Sequence, residues 1–190
     1  MQQKFAWNIA KPEKSAVDEI AATLGLPLPI TRAIANRGID TAEKAEGYVT
    51  PSASHVHDPF LLNDMEKAVD RALLALERKE RVLVLGDYDV DGISGTALLV
   101  SFLSRIGVNV NYYIPNREKE GYGLNENVVR KSSSAGYKLI ITVDSGVSSI
   151  KEAALAKSLG MDMIITDHHE PHAVAPDVLA LVNQIGRAHV

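Results

Sequence analysis

Residues 86–92 read GDYDVDG, which puts three carboxylates, Asp87, Asp89 and Asp91, at alternate positions directly behind the apolar run VLVL. Acidic side chains that close a buried strand turn the chain by bonding backbone N–H groups, or they hold a cation. Further along, TVDSG delivers Asp144 and TDHHEP delivers Asp167, His168 and His169, each again behind an apolar run. Carboxylates and imidazoles together form a mixed oxygen and nitrogen donor set suited to manganese or magnesium, and to zinc as well. The chain has zero cysteines, so any metal must sit on oxygen or imidazole, and thiolate nucleophiles and disulfides are excluded.

Three chemistries use a string of this kind. A calcium loop needs ligands at positions 1, 3 and 5, glycine at 6 and a bidentate glutamate at 12. Counting from Asp87, Gly92 fits, but the twelfth position is Leu98. The loop also follows a strand where a calcium hand requires a helix. An aspartyl-phosphate enzyme of the haloacid-dehalogenase type begins in the same way with DVDG, yet it needs a later lysine and acidic pair, and adjacent histidines are foreign to it. A metal-dependent phosphoesterase uses all of the groups. Two divalent ions held about 3.5–4 Å apart activate water and neutralise a phosphate during in-line attack. Ions that close need a shared carboxylate, and Asp144, alone on a middle strand, is the candidate bridge.

For these groups to meet, the elements must bring them to one rim. Helical spacing runs through 15–50, with Val17, Ile20, Ala21 and Leu24 on one face, a break at LGLPLP, and a helix start at Asp40 and Glu43. TPSASHVHDPF is an irregular connector, after which Asn63 and Glu66 open a helix with Ala68, Val69, Ala72, Leu73 and Leu76 facing inward. From there the pattern alternates: strand 82–86, helix 94–106, strand 108–114, helix 124–135, strand 138–143, helix 148–159, strand 161–166 and the run VLALV at 178–182. Gly107, Gly136 and Gly160 punctuate the helix ends. Continuous apolar runs mark strands buried on both faces, so the expected fold class is α/β, a mainly parallel sheet with helices on both sides, preceded by a small helical segment. Parallel strands all end at one edge, and that edge is where ligands bind in such folds. The expected division is a lead-in and connector over 1–59, a catalytic domain over 60–184 and a short tail over 185–190.

Composition adds bounds. Twenty basic and 24 acidic residues give a formal net charge of −4, so no general basic character marks a nucleic-acid binder. No signal-like segment and no run of about 18 apolar residues occurs, which predicts a cytoplasmic protein with no membrane partner. Asp167 is open between ligand and turn residue. His55 and His57 lie outside the strand ends and are expected to pack the connector. Arg117 follows a strand at the same rim, where it could clamp a phosphate, with Gly121 and Gly123 allowing the close turn. Tyr122 is read either as a stacking platform for a base or as a residue packed under its loop.

GDYDVDGISGT, YYIPNREKEGYGLN, TVDSG and TDHHEP, in this order, resemble the successive motifs of the DHH phosphoesterases. The lead-in NRGIDTAEKAEGYVTPS and HDPFLLNDMEKAVDR is similar to the N-termini of the RecJ branch, the single-strand-specific 5′-3′ DNA exonucleases of repair and recombination. The resemblance implies metal ligation by Asp87 or Asp89, Asp91, Asp144 and His168, with His169 beside the scissile phosphate. Catalysis would then centre on His169, Asp144 and Asp89, and Arg117, Gly121 and Tyr122 would contact substrate. It further implies a pair of Mn2+ or Mg2+ ions, single-stranded DNA as substrate, and a single-strand-binding protein and a repair helicase as partners. Family members carry a later metal-binding aspartate and a second, glycine-rich domain, and continue with proline where QIGRAHV follows LALVN, so the resemblance implies that these 190 residues are an incomplete enzyme, either truncated or ending in a non-native tail. Alternative readings are an oligoribonuclease or cyclic-dinucleotide phosphodiesterase on the same core, against which the long lead-in argues, and a binding module without turnover.

Overall fold

The computed structural model describes residues 8–116 and 123–185, and the chain forms two compact units divided in sequence between His57 and Asp58. The first unit holds α1 (Lys14–Leu24), α2 (Leu28–Ala35) and α3 (Ala42–Val49). Ile20, Ile34 and Ala45 form its small core, flanked by Leu24, Leu26 and Ile39. α2 starts inside the proline-bearing segment read as a break, because proline is tolerated in a first helical turn. The third helix is capped by Thr41, whose hydroxyl accepts the Lys44 N–H at 3.3 Å, while Asp40 pairs with the Lys44 ammonium at 2.8 Å. In the connector, Ser52 and His55 form a reciprocal cap, and His55, expected to pack, is instead exposed.

The second unit runs α4 (Met65–Glu77), β1 (Arg81–Gly86), α5 (Val90–Arg105), β2 (Asn109–Tyr113), α6 (Glu126–Ser134), β3 (Tyr137–Val143), α7 (Ile150–Ser158), β4 (Asp162–Asp167) and β5 (Ala180–Asn183). Five strands pair in the order β2-β1-β3-β4-β5, every pairing parallel. Helices cover both faces. On one, Leu83, Leu85, Ile140, Met163 and Ile165 pack with Val128 and Val129 of α6 and Ala153 and Ala156 of α7. On the other, Val82, Val84, Leu139, Ile141 and Ile164 pack with Ala68 and Ala75 of α4 and Leu103 of α5. Burying each such aliphatic side chain contributes about 1.5–3 kcal/mol relative to exposure, so the central strands form a stiff base for the charged loops at their ends.

Two expectations need correction. Val69 and Leu73 of α4 are exposed rather than inward. The helix turns Arg71 inward instead, where Nε bonds Asp162 at 2.6 Å and Nη2 bonds Glu80 at 2.7 Å. Burial opposes the charge on this guanidinium, and the two carboxylates more than offset it. α5 begins at Val90, four residues before the spacing suggested, because Asp89 caps it. At the far side of the sheet, the Asp64 carboxylate accepts the Leu181 N–H of edge strand β5 at 3.1 Å and pairs with Lys67 at 2.6 Å.

Candidate metal centre

The strand order fixes the site. From β1 the chain passes to β2 on one side and then crosses to β3 on the other, so the crevice at the carboxyl ends of β1 and β3 is the topological switch point. Asp87 and Asp89 leave β1 there, and Asp144 leaves β3. The rows Gly86, Val143 and Thr166 are in register across β1, β3 and β4, which brings Asp144 and Asp167 to the same height.

Local geometry then aims the side chains. Asp89 accepts the Gly92 N–H at 3.0 Å as cap of α5, and this bond holds its carboxyl below the usual carboxylate range. Gly92 lies so close to Asp87 that a Cβ would stand 2.5 Å from both its backbone N and O. Asp144 adopts left-handed backbone, φ 60°, while its N–H still donates to the Thr166 carbonyl at 3.0 Å. The turn continues through Gly146, φ 110°, where a side chain would crowd Thr142 Oγ1 at 2.8 Å.

Asp167 acts as a clamp. Its Oδ1 accepts the N–H groups of His168 and His169 at 2.8 and 3.1 Å, its Oδ2 accepts the Val147 N–H at 2.9 Å, and His169 Nδ1 lies 2.7 Å from Oδ1. A carboxylate only accepts, so Nδ1 carries the proton and Nε2 is the atom left for chemistry. The same bond raises the pKa of His169. Asp167 is thereby resolved as scaffold.

Two donor sets result, Asp87, Asp89 and Asp144, and Asp144, His168 and His169, each with ligand atoms within 4.8 Å of one another. Asp144 belongs to both, and His168 Nε2 lies 2.8 Å from its Oδ1. Burial, followed by the neighbouring Asp89 carboxylate, pushes the Asp144 pKa up, the sign of acids crowded beyond what they hold without a counter-charge. Asp87 is 3% exposed, and its Oδ1 is buried without a hydrogen-bond partner. An orphaned carboxylate oxygen among crowded acids and imidazoles fits a hard or borderline divalent cation such as Mn2+ or Mg2+.

Asp91 joins neither set. As the second residue of α5 it is exposed on the first turn, where its charge favours the helix N-terminus. The substrate-contact expectations at Arg117, Gly121 and Tyr122 fall outside the described residues. Sequence reasoning missed Asn183, a fully buried amide at the end of β5 whose Nδ2 bonds the His169 carbonyl at 3.0 Å. The signal was present: a polar residue directly behind the buried run LALV.

A parallel α/β domain with acids and imidazoles at its switch point is the setting of a metal centre, and this chain belongs to a family of that kind: the model of the DHH family, N-terminal domain, matches residues 81–188. Its relatives point to one branch. It is 39% identical over 183 residues to the single-stranded-DNA-specific exonuclease RecJ of Bacillus subtilis (strain 168), covering 96% of this chain and 23% of the relative. With the RecJ of Escherichia coli (strain K12) the identity is 38% over 169 residues, 88% of this chain and 29% of that one. The chain therefore spans about a quarter of the length of these relatives. Among solved structures, exonuclease RecJ bound to manganese superposes with a TM-score of 0.63 at 34% identity, over 67% of this chain and 33% of the other. RecJ from Thermus thermophilus in complex with Mn2+ gives 0.66 at 27% identity, over 92% and 24%.

Proposed function

We propose that this chain carries the metal-binding core of a hydrolase that removes nucleotides from single-stranded DNA in the 5′-3′ direction, with residues 60–184 as the catalytic domain and 1–59 as its helical lead-in. The observation that carries the reading is the sharing of Asp144 between two donor sets at the switch point. Asp87, Asp89, Asp144 and His168 would hold Mn2+ or Mg2+, with Asp144 as the bridge. When bound, such ions supply Lewis acidity to a phosphodiester and to water.

The chain's own residues do the rest. Asp167 holds the Nδ1–H of His169 and favours the charged ring, so that the imidazolium would present its second proton, on Nε2, to an oxygen of the scissile phosphate. The left-handed turn at Asp144 and the cap at Asp89 fix two carboxylates before substrate arrives, which lowers the reorganisation needed during reaction. Arg117 remains the candidate phosphate clamp, and Gly121 and Tyr122 remain candidate substrate contacts. Single-stranded DNA is the substrate that the relatives' names specify. Action in the cytoplasm beside a single-strand-binding protein and a repair helicase completes the proposal.

Calorimetric titration of the chain with MnCl2, alongside degradation of 5′- and 3′-labelled single strands, tests it. Mn2+ binding that disappears in Asp144→Ala is expected. An Asp144→Ala protein that binds Mn2+ as the parent does would overturn the assignment.

A further inference from the structure

We infer that Asn183 is a positioning residue of the metal centre, setting the conformation of the histidine loop from an edge strand that supplies no ligand of its own. The functional meaning of this rests on the metal-centre reading above, whereas the structural part stands on hydrogen bonds alone.

Asn183 has no exposed surface. A buried primary amide must place two donors and an acceptor, or cost about 1–3 kcal/mol for each group left unmade. Here the placement is unambiguous. Nδ2 donates to the His169 carbonyl at 3.0 Å, and Oδ1 accepts the Ile185 N–H at 2.7 Å. A flipped amide would set oxygen against oxygen at one end and nitrogen against N–H at the other, so only one orientation is allowed. The pairing of Asp167 with Asn183 puts the amide beside the clamp, and the Gln184 N–H adds a bond to the Asp167 carbonyl at 3.3 Å.

Both sides of His169 are consequently tied. Its N–H and its ring Nδ1 go to the Asp167 carboxylate, and its carbonyl goes to Asn183. Asp167 alone leaves the carbonyl side of His169 untied, and loss of the Asn183 bond would let the loop shift as a whole and loosen the ring on the Asp167 oxygen. Both heteroatoms of the Asn183 side chain are engaged, Nδ2 with the His169 carbonyl and Oδ1 with the Ile185 N–H, so it acts through the histidines and not on a ligand position.

The test compares the parent chain with Asn183→Asp, Asn183→Ala and, as a control, Ser132→Ala. Ser132 is a buried hydroxyl that bonds the Val128 carbonyl of α6 at 2.8 Å and touches no part of the loop. Two readouts are taken on each: long-range 1H–15N spectra of the histidine rings without metal, and calorimetric titration with MnCl2. The parent should show one ring locked with its proton on Nδ1. Asn183→Asp replaces the donor by an acceptor, and Asn183→Ala removes both partners while keeping the backbone. Both variants should convert that ring to a tautomer mixture and, by loosening the ligand His168 on the same loop, weaken Mn2+ binding roughly 10- to 100-fold, the range seen on loss of an outer partner. Ser132→Ala should change neither, though it also lowers the melting temperature. If Asn183→Asp does not fold, Asn183→Ala decides. Retention of the locked ring and of parental Mn2+ affinity in the folded variants overturns the inference. A parent chain with a locked ring and no Mn2+ binding overturns the metal reading instead, and the ring spectra of the variants then judge the positioning role by themselves.

Discussion

Asp144 combines two costs in one residue. Left-handed backbone at φ 60° is disfavoured for a side-chain-bearing residue, though least so for Asp and Asn. Burial beside Asp89 penalises its charge as well. A carboxyl whose pKa is raised by folding keeps its proton to higher pH in the native state than in the unfolded one. Stability therefore falls as pH rises from the ordinary aspartate value of 3.8 through the raised value, and stays lowered above it. Asparagine keeps the shape and tolerates the backbone but removes the charge. Asp144→Asn should raise the melting temperature of the metal-free protein at neutral pH by a few degrees and flatten its pH dependence. The same substitution should abolish the stabilisation that added Mn2+ gives the parent. Thermal melts followed by circular dichroism, with and without Mn2+ across about pH 4–8, bracket the titration and measure both effects, and a variant that melts lower than its parent without metal would refute the argument. Charge at this position opposes folding and serves the site.

At the scale of elements, the decisive contact is between the start of α5 and the end of β1. Gly92 meets the Asp87 backbone rather than a yielding side chain, so Gly92→Ala must push the helix start away from the strand. A destabilisation of about 1–3 kcal/mol is expected from overpacking, with loss of Mn2+ affinity because Asp87 and Asp89 separate. Urea denaturation and calorimetry on the variant check the pair of effects. This contact also shows what was legible in the sequence. Apolar runs closed by Asp87, Asp144, Asp167 and Asn183 each mark a strand end, and parallel pairing then forces them onto one edge. That logic makes neighbours of Asp87, Asp89, Asp91, Asp144, Asp167, His168 and His169, and five of these, Asp87, Asp89, Asp144, His168 and His169, form the two donor sets. Asp91, placed among the ligands by the same alternate spacing, lies outside both sets, because Asp89 is a helix cap and helical geometry sends Asp91 to the exposed side. Val69 and Leu73 misled for a related reason: apolar spacing identifies a stripe, but a buried Arg71 held by Asp162 and Glu80 decides which side of α4 faces the sheet. The bond from the Val147 N–H to Asp167 and the bond from Asn183 to the His169 carbonyl span 20 and 14 residues, and no local pattern encodes those two contacts.

The molecule as a whole distributes its stability unevenly. One unit rests on a core of Ile20, Ile34 and Ala45, the other on two extended clusters either side of a sheet. Amides of α1 to α3 should exchange with solvent deuterium through openings of much lower free energy than those of β1, β3 and β4. Native-state hydrogen exchange with peptide-level mass spectrometry measures this, and equal protection across the two units would contradict it. Unfolding followed by a single probe is then not expected to be two-state. A last consequence follows from the carboxylate of Asp64, which occupies the outward N–H of Leu181. Open borders of pleated structure recruit foreign backbone and seed aggregates. A neighbouring chain approaching β5 would have to displace an ionised group already shared with Lys67 and leave it stranded in a dry seam. On that flank the protein is fenced against unwanted polymerisation by one acidic side chain.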